Sequence, residues 1–305
     1  MSLLKSISSG EILFADGGIG TMLQAAGLKP GECPELWCLT RPDDVRAIHR
    51  AYREAGSVLT KTNSFGGTRY KLAKFGLADK VYEINRAAAA LAKCDNENFV
   101  LGCIGPTGEF MEPLGDETEE AMIAAFTEQA QALRDGGADA VTIETMSAIE
   151  ECVAGIKAAK TIPGLVVFAS FTFEKQANGE YASMMGVTPA AFAKAAIEAG
   201  ADVIGANCGR GAEQMIEIVK EMVAEVSRLR NGGRNAAATI PISAMPNAGL
   251  PVLENGATVF PGTPDEFAHD ILRLREAGAT ILGGCCGSTP RHINAAKLRV
   301  KSYEL

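Results

Sequence analysis

The sequence has no apolar run approaching the ~18 residues needed to span a bilayer, and its start, Met1 to Gly17, lacks an uninterrupted apolar stretch followed by a small-residue cleavage site. A membrane partner is therefore not expected, and the expected location is the cytoplasm. Positive charge is in deficit: 29 Lys and Arg stand against 37 Asp and Glu, a net charge of −8. Such a field repels phosphate backbones, so nucleic acid is not an expected partner either. Eight cysteines in 305 residues are too sparse for a disulfide scaffold. There is no linker, no low-complexity tract, no CxxC pair, and no proper dinucleotide fingerprint at the first strand-to-helix turn. What remains is a chain with 47% hydrophobic and 22% charged residues, the balance of a globular α/β enzyme.

A short phrase recurs in it. Gly56, Gly137, Gly200 and Gly278 each end a stretch of helical periodicity and each precede a short apolar run. Glycine in a left-handed C′ position stops a helix, and the β-branched residues that follow make a buried strand. The spacings of 81, 63 and 78 residues are too long for one strand-helix unit but suit two. Apolar runs at Glu11–Ala15, Phe99–Ile104, Leu165–Ser170 and Ile240–Met245 supply the missing strands. Eight strands are predicted, ending near Ala15, Thr62, Ile104, Glu144, Ser170, Asn207, Met245 and Gly284, with helices over 117–134, 147–160, 188–199, 213–230 and 263–276. Apolar strands alternating with helices imply a parallel sheet covered by helices, and eight units favour a closed (β/α)8 barrel, a TIM barrel, as one domain over 1–305. An open doubly wound sheet is the other topology considered. Pro246–Pro264 reads as a long loop.

In such a barrel the working face is the C-terminal end of the strands. Cys208 ends the sixth strand, and Cys285 and Cys286 end the eighth. Strands of equal parity point inward in the same layer, so the three sulfurs can meet although they lie far apart in sequence. Adjacent residues of a regular strand face opposite ways, but Gly283, Gly284 and Gly287 let the chain leave strand geometry so that both thiols turn to one point. Two readings fit this spacing. One is a zinc site of three thiolates with an open fourth position; the other is three small buried residues filling a tight barrel end. Cys94, Cys103 and Cys152 lie in helix or strand patterns and read as core, and Cys33 and Cys38 read as loop packing. His49, His269 and His292 fall in helical patterns and read as packing or surface residues. Lys61 lies too near the strand body for a role to be assigned.

Three thiolates give zinc a net charge of −1, which weakens its pull on water and suits a thiol substrate better. A free thiol with a pKa near 8.5 is only ~3% ionised at pH 7, so deprotonation on a metal supplies roughly 2 kcal/mol of activation. Alkyl transfer to sulfur is the reaction that follows.

The segments Asp16–Thr21, Thr60–Phe65, Gly205–Gly209, Pro246–Pro251 and Gly283–Pro290 resemble the homocysteine S-methyltransferase family, along nearly the whole chain. Within it, the stretch from Asn63 to Leu72 and the Pro246–Pro251 loop are most similar to the homocysteine-binding module of cobalamin-dependent methionine synthase. The resemblance implies that Cys208, Cys285 and Cys286 bind Zn2+, that the homocysteine thiolate completes the tetrahedron, and that methionine is the product. It further implies that Asp16, Gly17 and Gly18 lie beside the substrate and that Glu144 holds its ammonium. A glycine turn of this kind can receive a carboxylate on its backbone N–H groups. Asn63 and Asn207 are expected at the substrate as well. Folate, cobalamin and activation modules are absent from this sequence, so the methyl donor is expected to arrive separately. A methylated corrinoid protein, or methylcobalamin itself, is favoured over S-methylmethionine, S-adenosylmethionine or betaine. Two other readings were weighed. In one the glycine-rich end of the last strand is a phosphate cup of an aldolase or isomerase; in the other the chain is a non-catalytic module that binds homocysteine or docks on a corrinoid protein.

Overall fold

The computed structural model describes residues 2–95, 97–231, 240–254 and 257–303. Eight parallel strands succeed one another around a closed wall: β1 (Leu13–Phe14), β2 (Leu59–Lys61), β3 (Phe99–Ile104), β4 (Ala140–Met146), β5 (Val166–Phe171), β6 (Val203–Cys208), β7 (Ile242–Pro246) and β8 (Ile281–Leu282). Each pairs with its sequence neighbour, β1 pairs with β8, and a parallel bridge from Ala15 to Leu59 joins β1 to β2. The architecture is the (β/α)8 barrel expected from the sequence.

The helix stops follow from the glycines. Gly56, Gly137, Gly200 and Gly278 all have φ between 100° and 112°, a region open to glycine at little cost. Helix starts are equally local. Thr118, Thr188 and Thr263 each accept a backbone N–H with the side chain at the head of the helices Glu119–Asp135, Pro189–Ala199 and Pro264–Glu276, and Thr263 forms a reciprocal capping box with Glu266.

Alternation along the strands sorts the core into two. Leu13, Leu59, Leu101, Ala140, Val166, Phe168, Val203, Met245 and Ile281 form one buried cluster inside the barrel, joined by Leu3 and Ile7 of the N-terminal helix Leu3–Ser8. The residues between them, such as Phe14, Val100, Val141, Val167, Ile204 and Leu282, belong to a larger cluster with the outer helices. Moving up each strand by two keeps a side chain on the inner face. The inner row therefore runs from Leu59 to Lys61, from Leu101 to Cys103, from Ala140 through Thr142 to Glu144, and from Val203 through Gly205 to Asn207. The barrel floor is apolar and its C-terminal mouth is polar.

Pro246–Pro264, expected as a long loop, contains an antiparallel hairpin of Val252–Glu254 with Ala257–Val259; Asn255 and Gly256 lie outside the described residues. A second hairpin pairs Glu174–Lys175 with Tyr181–Ala182 after β5. Among the described residues no helix is long and apolar enough to cross a membrane.

Candidate metal centre

Cys208 is the last residue of β6, and its backbone has φ of 59°. Few non-glycine residues adopt this region, and the cost of doing so is sustained by surrounding contacts. β8 stops at Leu282, before the cysteines, as its glycines predict. The turn that follows is pinned from three sides. Cys285 N donates to Pro246 O at 2.8 Å and Gly284 N to Asp16 O at 2.8 Å. Cys286 N donates to Asn247 Oδ1 at 3.0 Å, and Gly287 N to Thr21 Oγ1 at 3.3 Å. The result brings Cys208 Sγ to 2.8 Å from Cys285 Sγ, with the sulfurs of Cys208, Cys285 and Cys286 all within 4.8 Å of one another. Hydrogen bonds from the Cys208 and Cys285 thiols pull Cys286 down to about 3, while the same contacts push Cys208 well above the usual thiol range. Thiols this close share their protons, and the Lys61 ammonium adds to the lowering at Cys286.

The three sulfurs line a cavity of about 360 Å³ at the barrel mouth, with Gly17, Gly18, Lys61, Asn63, Cys103 and Glu144 among the other walls. Glu144 is 6% exposed, and its Oε1 accepts the Cys103 thiol at 2.8 Å. Burial raises its pKa above the ordinary carboxylate value, and the Lys61 ammonium opposes that rise. Asp16 is wholly buried and does not line the cavity. Its Oδ2 accepts Lys61 N at 2.8 Å, its Oδ1 has no hydrogen-bond partner among the described residues, and burial pushes its pKa up to about 7.

The Gly17–Gly18 turn is glycine for reasons of contact. A Cβ on Gly17 would come within 2.6 Å of Ser288 Oγ and one on Gly18 within 2.7 Å of Cys285 O. Gly18 N is already bonded to Ser288 O at 3.1 Å. Asn207 does not line the cavity either. Its Oδ1 accepts Thr145 N at 3.0 Å and Ser170 Oγ at 2.7 Å, while its Nδ2 donates to Thr145 Oγ1 at 2.7 Å and faces Cys285 Sγ at 3.9 Å. Asn63 Nδ2 donates to Pro34 O at 2.8 Å, tethering the segment that carries Pro34 and Glu35 into the cavity wall. Cys38 Sγ donates to Asn63 O at 3.4 Å and Cys33 Sγ to Glu35 Oε2 at 3.3 Å, so both cysteines pack this segment.

In the sequence Cys103 reads as core and Lys61 carries no assigned role. Both are buried, yet both line the cavity. The signal was parity: each stands two residues beyond an inward-facing leucine, Leu101 and Leu59. His49, His269 and His292 lie in helices and none lines the cavity. The His292 ring bridges Thr289 and Gly262 O.

A family model described as homocysteine S-methyltransferase matches residues 13–300. The chain belongs to the homocysteine S-methyltransferase family. It is 36% identical over 323 aligned positions to methionine synthase of Mycobacterium tuberculosis, covering 99% of this chain and 26% of that protein. The methionine synthase of Mycobacterium leprae is 35% identical, with 95% and 24% covered. The chain thus spans about a quarter of the length of these relatives. Among solved structures, the metallated form of the homocysteine methyltransferase MmuM from Escherichia coli superposes with a TM-score of 0.75 at 23% identity, covering 95% of this chain and 96% of that one. A methyltransferase from Methanosarcina mazei gives 0.58 at 10% identity, with 99% and 98% covered. These two likenesses are of fold.

Proposed function

We propose that this barrel methylates the thiol of homocysteine to give methionine, with zinc held by Cys208, Cys285 and Cys286 and with a methylated corrinoid protein as donor. The convergence of three sulfurs, one from the end of β6 and two from the turn after β8, on one cavity is the observation that carries this reading. The donor set fits the metal: thiolates are soft ligands that zinc accepts at about 2.3 Å, and a tetrahedron of such bonds has edges of about 3.8 Å. The Cys208 to Cys285 contact of 2.8 Å has to open by roughly one ångström to meet that edge. When bound, zinc supplies a site at which a substrate thiol loses its proton near neutral pH while keeping its nucleophilic sulfur.

The chain's own residues supply binding and orientation. Glu144, buried in the cavity wall, would hold the substrate ammonium, and Cys103 steadies Glu144 by donating to its Oε1. Asn207 and Asn247 position two of the cysteines, Asn207 facing Cys285 Sγ and Asn247 bonding the Cys286 amide. Asn63 fixes the wall that carries Pro34 and Glu35 against the opening. The similarity to methionine synthases supports the corrinoid donor over a small sulfonium.

The test is metal analysis joined to a donor screen. Purified protein is expected to hold one zinc per chain, lost together with methionine formation in Cys208→Ala. Full activity in that variant would end the reading. With homocysteine held constant, methylcobalamin is expected to give slow methionine formation, and S-methylmethionine or S-adenosylmethionine none. Turnover with a sulfonium alone would replace the donor, whereas homocysteine binding without turnover on any donor would leave a binding module.

A further inference from the structure

Of the thirteen large apolar side chains that stand exposed among the described residues, eight lie on loops and hairpins beyond the strand ends, around the barrel mouth. Apolar area gathered on one face of a surface marks a place of contact. Four of the eight, Phe110, Leu114, Met184 and Met185, line a groove of about 570 Å³ formed by the loops after β3, β4 and β5, and the first three are 55%, 72% and 86% exposed. Thr145 lines this groove and the cysteine cavity alike, so the two hollows adjoin.

The charged part of the groove is of one sign. Glu109, Glu112, Glu150, Glu151 and Glu174 line it, and no lysine or arginine does. Lys74 and Arg210 pair with Glu109 and Glu174 from outside, whereas Glu112, Glu150 and Glu151 make no ion pair among the described residues. Glu151 is the deepest of the five that is held in place. It is 7% exposed, and its Oε1 accepts both Thr107 N at 2.7 Å and Thr107 Oγ1 at 2.6 Å, which leaves Oε2 without a hydrogen bond among the described residues. A carboxylate held this deep with an oxygen to spare is completed by a hydrogen-bond donor or a cation. A small solvated cation needs no apolar wall, and a purely apolar ligand needs no carboxylates. The corrin ring of a methyl–cobalt donor meets both conditions: it bears positive charge at cobalt(III), its faces are studded with methyl groups, and its edge carries primary amides, which donate to carboxylates.

We propose that the groove over β3, β4 and β5 seats the corrin ring of the methyl donor, with its amide edge on Glu151 and its apolar face on Phe110 and Leu114, beside the cavity that takes the acceptor thiol; this rests on the corrinoid-donor reading above. Equilibrium dialysis of methylcobalamin against the purified protein, in the dark and without homocysteine, tests it through the absorbance of the corrin. The parent is expected to bind, and Phe110→Ser/Leu114→Ser and Glu151→Gln are each expected to bind at least about tenfold more weakly, the scale of apolar side chains left in water or of one charge-assisted hydrogen bond. Both apolar positions are exposed and glutamine keeps the bonds to Thr107, so zinc content and thermal unfolding are expected to match the parent. Leu298, 61% exposed on the helix Pro290–Tyr303, provides the control Leu298→Ser, which is expected to bind as the parent does. Equal affinity in all four proteins, an equal loss in the control, or a parent that forms methionine from methylcobalamin without measurable binding would overturn the groove alone. Displacement of methylcobalamin by equimolar S-adenosylmethionine would overturn the corrin assignment and give the groove to a small cation. A parent that neither binds methylcobalamin nor forms methionine from it would overturn the donor reading and this one with it.

Discussion

Asn207 and Thr145 are clasped twice: the Asn207 carboxamide oxygen accepts the Thr145 amide at 3.0 Å and its nitrogen donates to the Thr145 hydroxyl at 2.7 Å. Thr145 has φ of 62°, and the residue after Asn207, Cys208, has φ of 59°. Asn207 thus ties the left-handed Thr145 at the end of β4 across β5 to the strand that ends in left-handed Cys208, a proposed metal ligand. Asn207→Ala leaves the part-buried Thr145 N–H and the buried Ser170 hydroxyl without their acceptor. It is expected to cost about 2–4 kcal/mol of stability and roughly 10- to 100-fold in zinc affinity. Denaturant unfolding and competition with a chromogenic chelator measure the two effects.

Gly18→Ala is expected to weaken zinc binding by about tenfold and stability by about 1–3 kcal/mol, because its Cβ would press on the Cys285 carbonyl. Gly20, two residues on, has nothing within 4 Å of a built Cβ and sits in the helix Ile19–Ala25. Gly20→Ala is expected to keep its zinc and to gain up to about 1 kcal/mol. Equal zinc affinities for the two variants would remove the steric account.

The buried Asp16 carboxyl makes stability depend on pH in an uncommon direction. Its folded pKa of about 7 lies above the ordinary 3.8, so between those values the folded state keeps a proton that the unfolded state has lost. The stability it contributes is fully present below about pH 4 and is lost as pH rises through about 7. Unfolding of metal-free parent and Asp16→Asn, measured at pH 4.5 and 7.5, is expected to shift by a few kcal/mol in favour of the variant at the higher pH. Parallel profiles would contradict this.

Thr263 caps the helix Pro264–Glu276 with bonds in both directions to Glu266. Thr263→Ala is expected to lower stability by about 1 kcal/mol with zinc content unchanged. Loss of metal in this variant would tie the centre to a helix end that it does not touch.

Much of this architecture could be read along the chain. The four left-handed glycines mark alternate units, and the apolar runs between them mark the rest, because a helix stop and a buried strand are both local events. The hairpins at Glu174–Ala182 and Val252–Val259 escaped, since arms of two or three residues carry no measurable period. The cysteine cluster was legible as topology alone, through strands of equal parity and a glycine-loosened last strand. Lys61 is harder to read, because β2 is three residues long and its register depends on neighbours that only the closed wall fixes, whereas Cys103 on the longer β3 is readable only through its parity with Leu101. The resemblance implies that Asp16 and Asn207 lie at the substrate; in the structure both stand just behind the cavity wall, where they bond Lys61 and Thr145 and Asn207 faces Cys285.

The proposed metal ligands come from the sixth strand and from beyond the eighth, and the turn bearing the last two is pinned by groups from residues 16 and 21. A ribosome therefore releases the first thiol long before its companions, and none of the three can settle until the ends of the barrel have met. On the proposed reading, loading with zinc would report closure of the barrel, since a polypeptide halted after its seventh strand would carry one of the three proposed ligands and no socket.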